Sequence, residues 1–131
     1  MSVLDQLPYA RFLGLEAGED PQGRIVVMPF QPMLIGNPVL PALHGGSTAA
    51  MLELTAIAEA AAVFPGERLP RPINVTIAYL RSGRAQAVHA RARISKAGRR
   101  VAHVTAEAWQ DDEAEPIASL TAHFLLADDA S

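Results

Sequence analysis

His44, Gly45, Gly46 and Glu53 are the residues of this chain whose types and spacing suggest chemistry. A glycine pair at the start of a helix leaves the first backbone N–H groups approachable. Those groups have no partner inside the helix and carry the positive end of its dipole. A carbonyl oxygen placed against them is polarised, and each donor to a developing oxyanion is typically worth ~3 kcal/mol. Glu53 follows Gly46 by seven residues and is the only acidic residue between Asp20 and Glu59. Two helical turns separate the pair by about 10 Å along the axis. On a helix, Glu53 shares a face with Gly46, Ala49, Ala50, Ile57 and Ala60, all small or apolar. An unpaired carboxylate in such surroundings costs several kcal/mol, or its pKa rises. Without chemistry, Glu53 would be solvated at a gap in the structure, paired with a cation such as Arg81, or held at an oligomer interface. Gly45 would then merely make a turn, and Gly46 would merely permit close packing.

The elements around these residues follow from pattern. Ser2–Leu15 reads as a helical lead-in broken at Pro8. Glu16–Glu19 begins a strand, Asp20-Pro21-Gln22-Gly23 is a turn, and Ile25-Val26-Val27 marks a second strand over Arg24–Phe30. Gln31–Leu43 is a loop, denied regular structure by Pro32, Pro38 and Pro41. Its Met33, Leu34, Ile35, Val39 and Leu40 suggest that it packs down. The helix runs from Gly45 to Phe64 and ends at Pro65-Gly66. It is alanine-rich and apolar nearly all round, which places it inside other structure. Four strand-like runs follow, Ile73–Arg81, Ala87–Ser95, Val101–Gln110 and Ile117–Leu126. In the second, Val88, Ala90, Ala92 and Ile94 alternate with His89, Arg91, Arg93 and Ser95. In the third, Ala102, Val104, Ala106 and Ala108 form a small-residue face that a helix can approach closely. The expected class is α+β, an antiparallel sheet of five to six strands wrapped around one long central helix. One domain over residues 1–131 is expected, with a frayed tail at Asp128–Ser131.

Composition removes several classes. There is no cysteine, so disulfides, thiolate metal sites and cysteine nucleophiles are excluded. Lys+Arg 11 against Asp+Glu 14 gives a net charge of -3, unlike a general nucleic-acid binder. No secretory signal is evident, and the apolar run Ser47–Phe64 contains two glutamates, so a cytoplasmic protein without a membrane span is expected. Charge is uneven, however. No acid lies between Glu67 and Glu107, whereas Arg71, Arg81, Arg84, Arg91, Arg93, Lys96, Arg99 and Arg100 all fall there. These are either solvent-facing strand residues or a positive region suited to a phosphate-bearing small molecule. His44, His89, His103 and His123 are far apart, with no HxH or HExxH pattern, so no metal site is expected. Gly46-Ser47 lacks a GxSxG setting, which argues against a serine hydrolase.

His44-Gly45-Gly46, with Glu53 nine residues after the histidine, resembles the signature of hotdog-fold acyl-CoA thioesterases of the phenylacetate-degradation (PaaI-like) type. The likeness extends through Asn74–Arg81, Lys96–Ala102 and Ile117–Phe124 and covers roughly Asn37–Leu126. It implies the hotdog fold, free CoA as a product, and no metal or cofactor. It also implies a homodimer, often a dimer of dimers, with sites across the interface. Carried over, Glu53 is the general base or nucleophile, the Gly46 N–H polarises the thioester carbonyl, and His44 shapes the helix start and contacts the thioester. Asn37 resembles a water-orienting asparagine of some members. The arginines and their neighbours would hold substrate and CoA, namely Gly45, Arg81, Ser82, Arg84, Lys96, Arg99 and Arg100. The family's Ser or Thr on the strand after the helix falls at Arg81 here, with Ser82 one residue on.

The function this implies is hydrolysis of a small or medium acyl-CoA to free acid and CoA. The competing expectation is a non-catalytic hotdog protein that binds acyl-CoA or acyl carrier. A hotdog hydratase or dehydratase lacks its usual histidine arrangement here.

Overall fold

The computed structural model describes residues 2–66 and 68–126, so the expected tail at Asp128–Ser131 lies outside the described residues. The lead-in forms two pieces, as Pro8 requires. A 3-10 turn at Val3–Gln6 precedes a short helix α1 (Pro8–Leu13), with Pro8 in its first turn. Gly14 ends α1 in the left-handed conformation (φ 74°) that glycine adopts without steric cost. The next strands, β1 (Glu16–Asp20) and β2 (Gly23–Met28), form a hairpin closed by Asp20↔Gly23.

Gln31–Leu43 is more regular than its prolines suggest. Pro32–Leu34 is a 3-10 turn, and β3 (Ile35–Asn37) pairs with β4 (Ala42–Leu43) in a two-stranded sheet. The prolines sit at the start of the turn and between the short strands, where no ladder N–H is needed. Nor is the loop packed down throughout. Leu34 is buried, but Val39 is 88% exposed and Leu40 66%.

Helix α2 (Gly45–Val63) then leads to β5 (Arg71–Tyr79), β6 (Val88–Ala97), β7 (Val101–Trp109) and β8 (Ala118–Leu125). The main sheet has six strands in the order β1-β2-β6-β7-β8-β5, and every adjacent pair is antiparallel. Its inner face is small. Ala90, Ala102, Ala108 and Ala122 are fully buried and Ala106 nearly so, beside Val104, Leu120 and Phe124. Met51, Leu52, Leu54, Thr55, Ala56 and Ala60 are buried on α2 and supply the matching ridge. The opposite face differs from expectation. Ala49, Ala50, Glu53 and Ile57 are only half-buried, so the sheet cradles the helix on one side and leaves a stripe open. Strand β5 is the outer edge on that side of the sheet, and Ile73 and Tyr79 on it are exposed.

One arginine of the acid-free window has neither of its expected roles. Arg91 lies on the outward-facing alternation of β6, yet its side chain is only 4% exposed. Its Nη2 lies 2.6 Å from Asp20 Oδ2 and its Nε 2.9 Å from Glu113 Oε2, while Nη1 donates to the Arg24 carbonyl at 3.1 Å. The guanidinium also lies 5.6 Å from the Trp109 ring centre. Two carboxylates from distant parts of the chain thus neutralise a buried cation. They also clamp the β1–β2 turn and the β7–β8 connection onto β6. The hydrogen bond from Arg91 holds the Asp20 carboxyl below the ordinary value of 3.8. The same two partners push the guanidinium's pKa upward.

Removing one side of such a pair leaves charge without compensation. Arg91→Ala is expected to lower stability by about 3 kcal/mol in urea unfolding at neutral pH. Because the Asp20 pKa is lowered on folding, its contribution is present above 3.8 and lost as pH falls through the depressed value. Asp20→Asn should therefore flatten the acid limb of the stability–pH curve. An unchanged acid limb in Asp20→Asn would count against the clamp.

Candidate active site

The start of α2 is built around the His44 ring. His44 is the N-cap, and its Nδ1 accepts the Gly46 N–H at 2.8 Å. Nδ1 must be bare to accept, so the ring proton of the neutral imidazole is on Nε2. The expected oxyanion donor, the Gly46 amide, is thus already engaged by the neighbouring ring. The reason for the glycines is also visible. A Cβ on Gly46 would come within 2.9 Å of His44 Nδ1. A Cβ on Gly36 would come within 2.8 Å of His44 Cα and 2.9 Å of its Cβ. At Gly45 it would meet the Tyr79 ring at 3.1 Å. Tyr79, at the end of β5, donates its hydroxyl to the Gly45 carbonyl at 2.9 Å. The His44 N–H donates to the Leu34 carbonyl at 2.8 Å. Gly36 and Tyr79 were not singled out from sequence. Their roles depend on contacts made across the fold.

Glu53 lies two turns further on, on the open stripe of α2, and is half-buried. Among the described residues it has no hydrogen-bond or ion-pair partner, and Arg81 does not reach it. Instead Arg81 Nη1 donates to the Pro116 carbonyl at 2.7 Å. Of the three structural explanations for this carboxylate, pairing with Arg81 is therefore not what the chain does. Asn37 uses its Oδ1 locally, accepting from the Val39 and Leu40 amides at 3.0 and 3.4 Å.

The expected substrate-binding residues fall into two groups. Gly45, Arg81 and Ser82 line one cavity of ≈ 390 Å³, together with Thr48, Tyr79 and Gly83. Arg84 is close by, but it pairs with Asp111, which also accepts from Gln86 at 2.9 Å. Lys96, Arg99 and Arg100 are exposed at the β6–β7 turn. The pairings Tyr79↔Ala118 and Ala118↔Ala108 set one end of the sheet, while Arg71↔Leu125 and Leu125↔Val101 set the other. Seven residues of β7 separate these rows, or roughly 24 Å of strand. One chain alone does not bring the two groups together. Among the described residues there is no group of three or more His, Cys, Asp or Glu that could hold a metal.

Comparison with known proteins bears directly on this geometry. The profile of the acyl-CoA thioesterase N-terminal domain family matches residues 37–125, which include His44, Gly46, Glu53 and the four strands after the helix. The chain belongs to this thioesterase family. A Chromobacterium violaceum protein of known structure is 38% identical over 97% of this chain and 88% of its own, with a TM-score of 0.79. Two further structures share the fold at 24% identity. One is a Ralstonia eutropha phenylacetic acid degradation-related protein, covering 92% of this chain and 90% of its own at a TM-score of 0.80. The other is a Bacillus halodurans protein solved with CoA, covering 92% and 79% at a TM-score of 0.81. No curated protein sequence matches. The thioesterase family and the hotdog fold expected from sequence both hold. Among the described residues, no helix is long and apolar enough to cross a membrane.

The His44 setting makes a direct prediction. Gly36→Ala places a methyl against backbone, which cannot swing aside, so a loss of about 1–3 kcal/mol is expected in chemical denaturation. Tyr79→Phe should lose only about 1 kcal/mol, the value of one hydrogen bond. A Gly36→Ala variant as stable as the parent would mean that His44 is not confined as described.

Proposed function

We propose that the protein is an acyl-CoA thioesterase that hydrolyses an acyl-CoA to the free acid and CoA, with Glu53 as its acting carboxylate. The observation that carries this reading is a single unpaired carboxylate on the open stripe of α2, in a chain that belongs to a thioesterase family. Glu53 either removes a proton from water as that water attacks the thioester carbon, or attacks the carbon itself. In the first route the adduct collapses with loss of CoA; in the second the C–S bond breaks to leave a Glu53–acyl anhydride that water then hydrolyses. Either way CoA leaves as the thiol with a proton taken from the water, and the free acid and the Glu53 carboxylate result. The donor offered to the carbonyl is His44 Nε2–H, while the Gly46 amide acts through the ring by holding Nδ1. No metal or cofactor takes part, and Asn37, beside Gly36, lies on the loop that backs the His44 ring.

The working unit is a homodimer. Strand β5 has a free edge, and the α2 stripe and the apolar residues Met33, Val39 and Leu40 are open. Antiparallel pairing of two β5 edges about a two-fold axis sets the Arg71 end of one chain beside the Tyr79 end of the other. Lys96, Arg99 and Arg100 of one chain then lie at the same end of the joined sheet as Gly45, Arg81, Ser82 and Arg84 of its partner. That is a cationic setting for CoA phosphates. It also lets the helix start of one chain and Glu53 of the other serve one thioester, so the two-turn separation within a chain ceases to matter. The CoA present in the Bacillus halodurans structure supports the ligand assignment.

A free-thiol assay tests the reading. Glu53→Gln should lower kcat by about 10²–10⁴-fold, the usual range for loss of an acid–base group. Light scattering of the parent should return at least a dimer. Turnover unchanged in Glu53→Gln would remove Glu53 from the mechanism. Absence of turnover with any acyl-CoA would favour the non-catalytic binding protein.

A further inference from the structure

A second, larger cavity of ≈ 600 Å³ runs beside the C-terminal half of α2, between the helix, the N-terminal lead-in and the β1–β2 hairpin. Neither Glu53 nor any residue of the His44 turn lines it. Its volume is within the ~300–1,000 Å³ typical of small-molecule sites. Its walls are aliphatic, with Leu4, Val26, Ala58, Ala62 and Leu69 among them. Its buried polar residue, Thr55, is satisfied, while the exposed Gln6, Glu19 and Arg68 also line it. The Thr55 hydroxyl donates to the Met51 carbonyl at 2.7 Å, and at the rim Arg24 grips Glu59 through two bonds of 2.9 and 3.0 Å. The buried part of the lining thus offers no open donor and favours hydrocarbon.

The cavity is connected to the candidate site by position on the helix. Ile57 and Ala61 follow Glu53 at steps of four, so the three share one stripe. Ala61 lines the cavity. From Glu53 to Ala61 is eight residues, or about 12 Å along the axis. An extended carbon chain advances about 1.2 Å per bond, as an extended peptide does over its three bonds per residue. Roughly ten bonds therefore carry a chain from a thioester at Glu53, over Ile57, to the mouth at Ala61. Resting on the thioesterase reading above, we infer that the cavity receives the distal end of a straight aliphatic acyl chain. The preferred substrates are then acyl-CoAs of about twelve to sixteen carbons, because a shorter chain ends before the mouth. Acetyl and other short chains end on the stripe and gain nothing from the cavity. Each further methylene buried there favours binding by about fourfold.

The test is kcat/KM for straight-chain acyl-CoAs from acetyl to palmitoyl, on the parent, Ala61→Phe and Ala58→Val, with thermal unfolding as the check on folding. In parallel, free decanoate is titrated into the parent and followed by the amide resonances of Thr55, Ala58 and Ala92. The expected parent profile peaks at about twelve to sixteen carbons, at least tenfold above acetyl and butyryl. Ala61→Phe should shift the peak to shorter chains with butyryl turnover retained, and Ala58→Val should shift it in the same direction by less. Decanoate should perturb the named amides. A flat or short-chain profile that Ala61→Phe leaves unchanged would overturn the cavity assignment while the thioesterase reading stood. If no acyl-CoA is turned over, the thioesterase reading fails and decanoate decides the cavity alone. Perturbed amides would uphold it as an aliphatic-chain site, and silent amides would overturn it.

Discussion

The structure depends on how closely one helix can approach one sheet. Helix α2 lies against β6, β7 and β8, and the floor beneath it is largely alanine, Ala90, Ala102, Ala106, Ala108 and Ala122. A floor of leucine would lift the helix and empty the contact, because interiors tolerate neither gaps nor surplus volume. Larger buried side chains complete the core, with Phe124 and Leu120 on the sheet and Met51 and Leu52 on the helix. Seating the helix this low turns a narrow stripe outward and fixes the height of Glu53 above the sheet. The candidate chemistry is therefore set by residues that never touch a substrate.

Much of this was legible before the structure, for physical reasons that can be named. The helix is marked in sequence by a glycine pair, an alanine-rich apolar run and a Pro65-Gly66 stop. Alternation in the second run and the small-residue face of the third mark strands, and the observed bounds of the last four strands lie within two residues of expectation. What escaped depended on contacts far apart in sequence. Arg91 alternates like a solvent-facing residue. Only the arrival of Asp20, 71 positions earlier, and of Glu113 buries it. The three-residue pairing inside Gln31–Leu43 is too short to show a period. Gly36 and Tyr79 matter because each touches the His44 turn, which no local pattern encodes. The stripe of α2 looked fully enclosed because an apolar helix reads the same whether its last face is covered by the same chain or left open.

The His44 turn shows how a motif can have a different physical basis from the one first assigned. A glycine pair before a helix suggests open amides. Here the Gly46 amide is occupied, and the absent side chains make room for an imidazole on one side and a phenol on the other. The result is a ring held on several sides, with one proton position left to offer. Preorganisation of this kind places the entropic cost of orientation in folding and removes it from turnover. Holding the ring also couples the motif to β5, since Tyr79 belongs to the strand whose outer edge is free.

That free edge has a consequence for the life of the newly made chain. A nine-residue strand with unpaired amides and carbonyls is a template for any extended segment, native or not. Exposed Ile73 makes it stickier, and low charge within Ile73–Tyr79 does nothing to repel a stranger. The guards sit at its ends. Arg71 and Arg81 flank the strand, and Pro72 removes an amide where the register shifts before Asn74. Between those guards the edge has room for a partner of limited length and offset, such as the second copy of the proposed dimer. Left uncovered, that edge can pair with any other open strand, so aggregation rises with the concentration of uncovered chains.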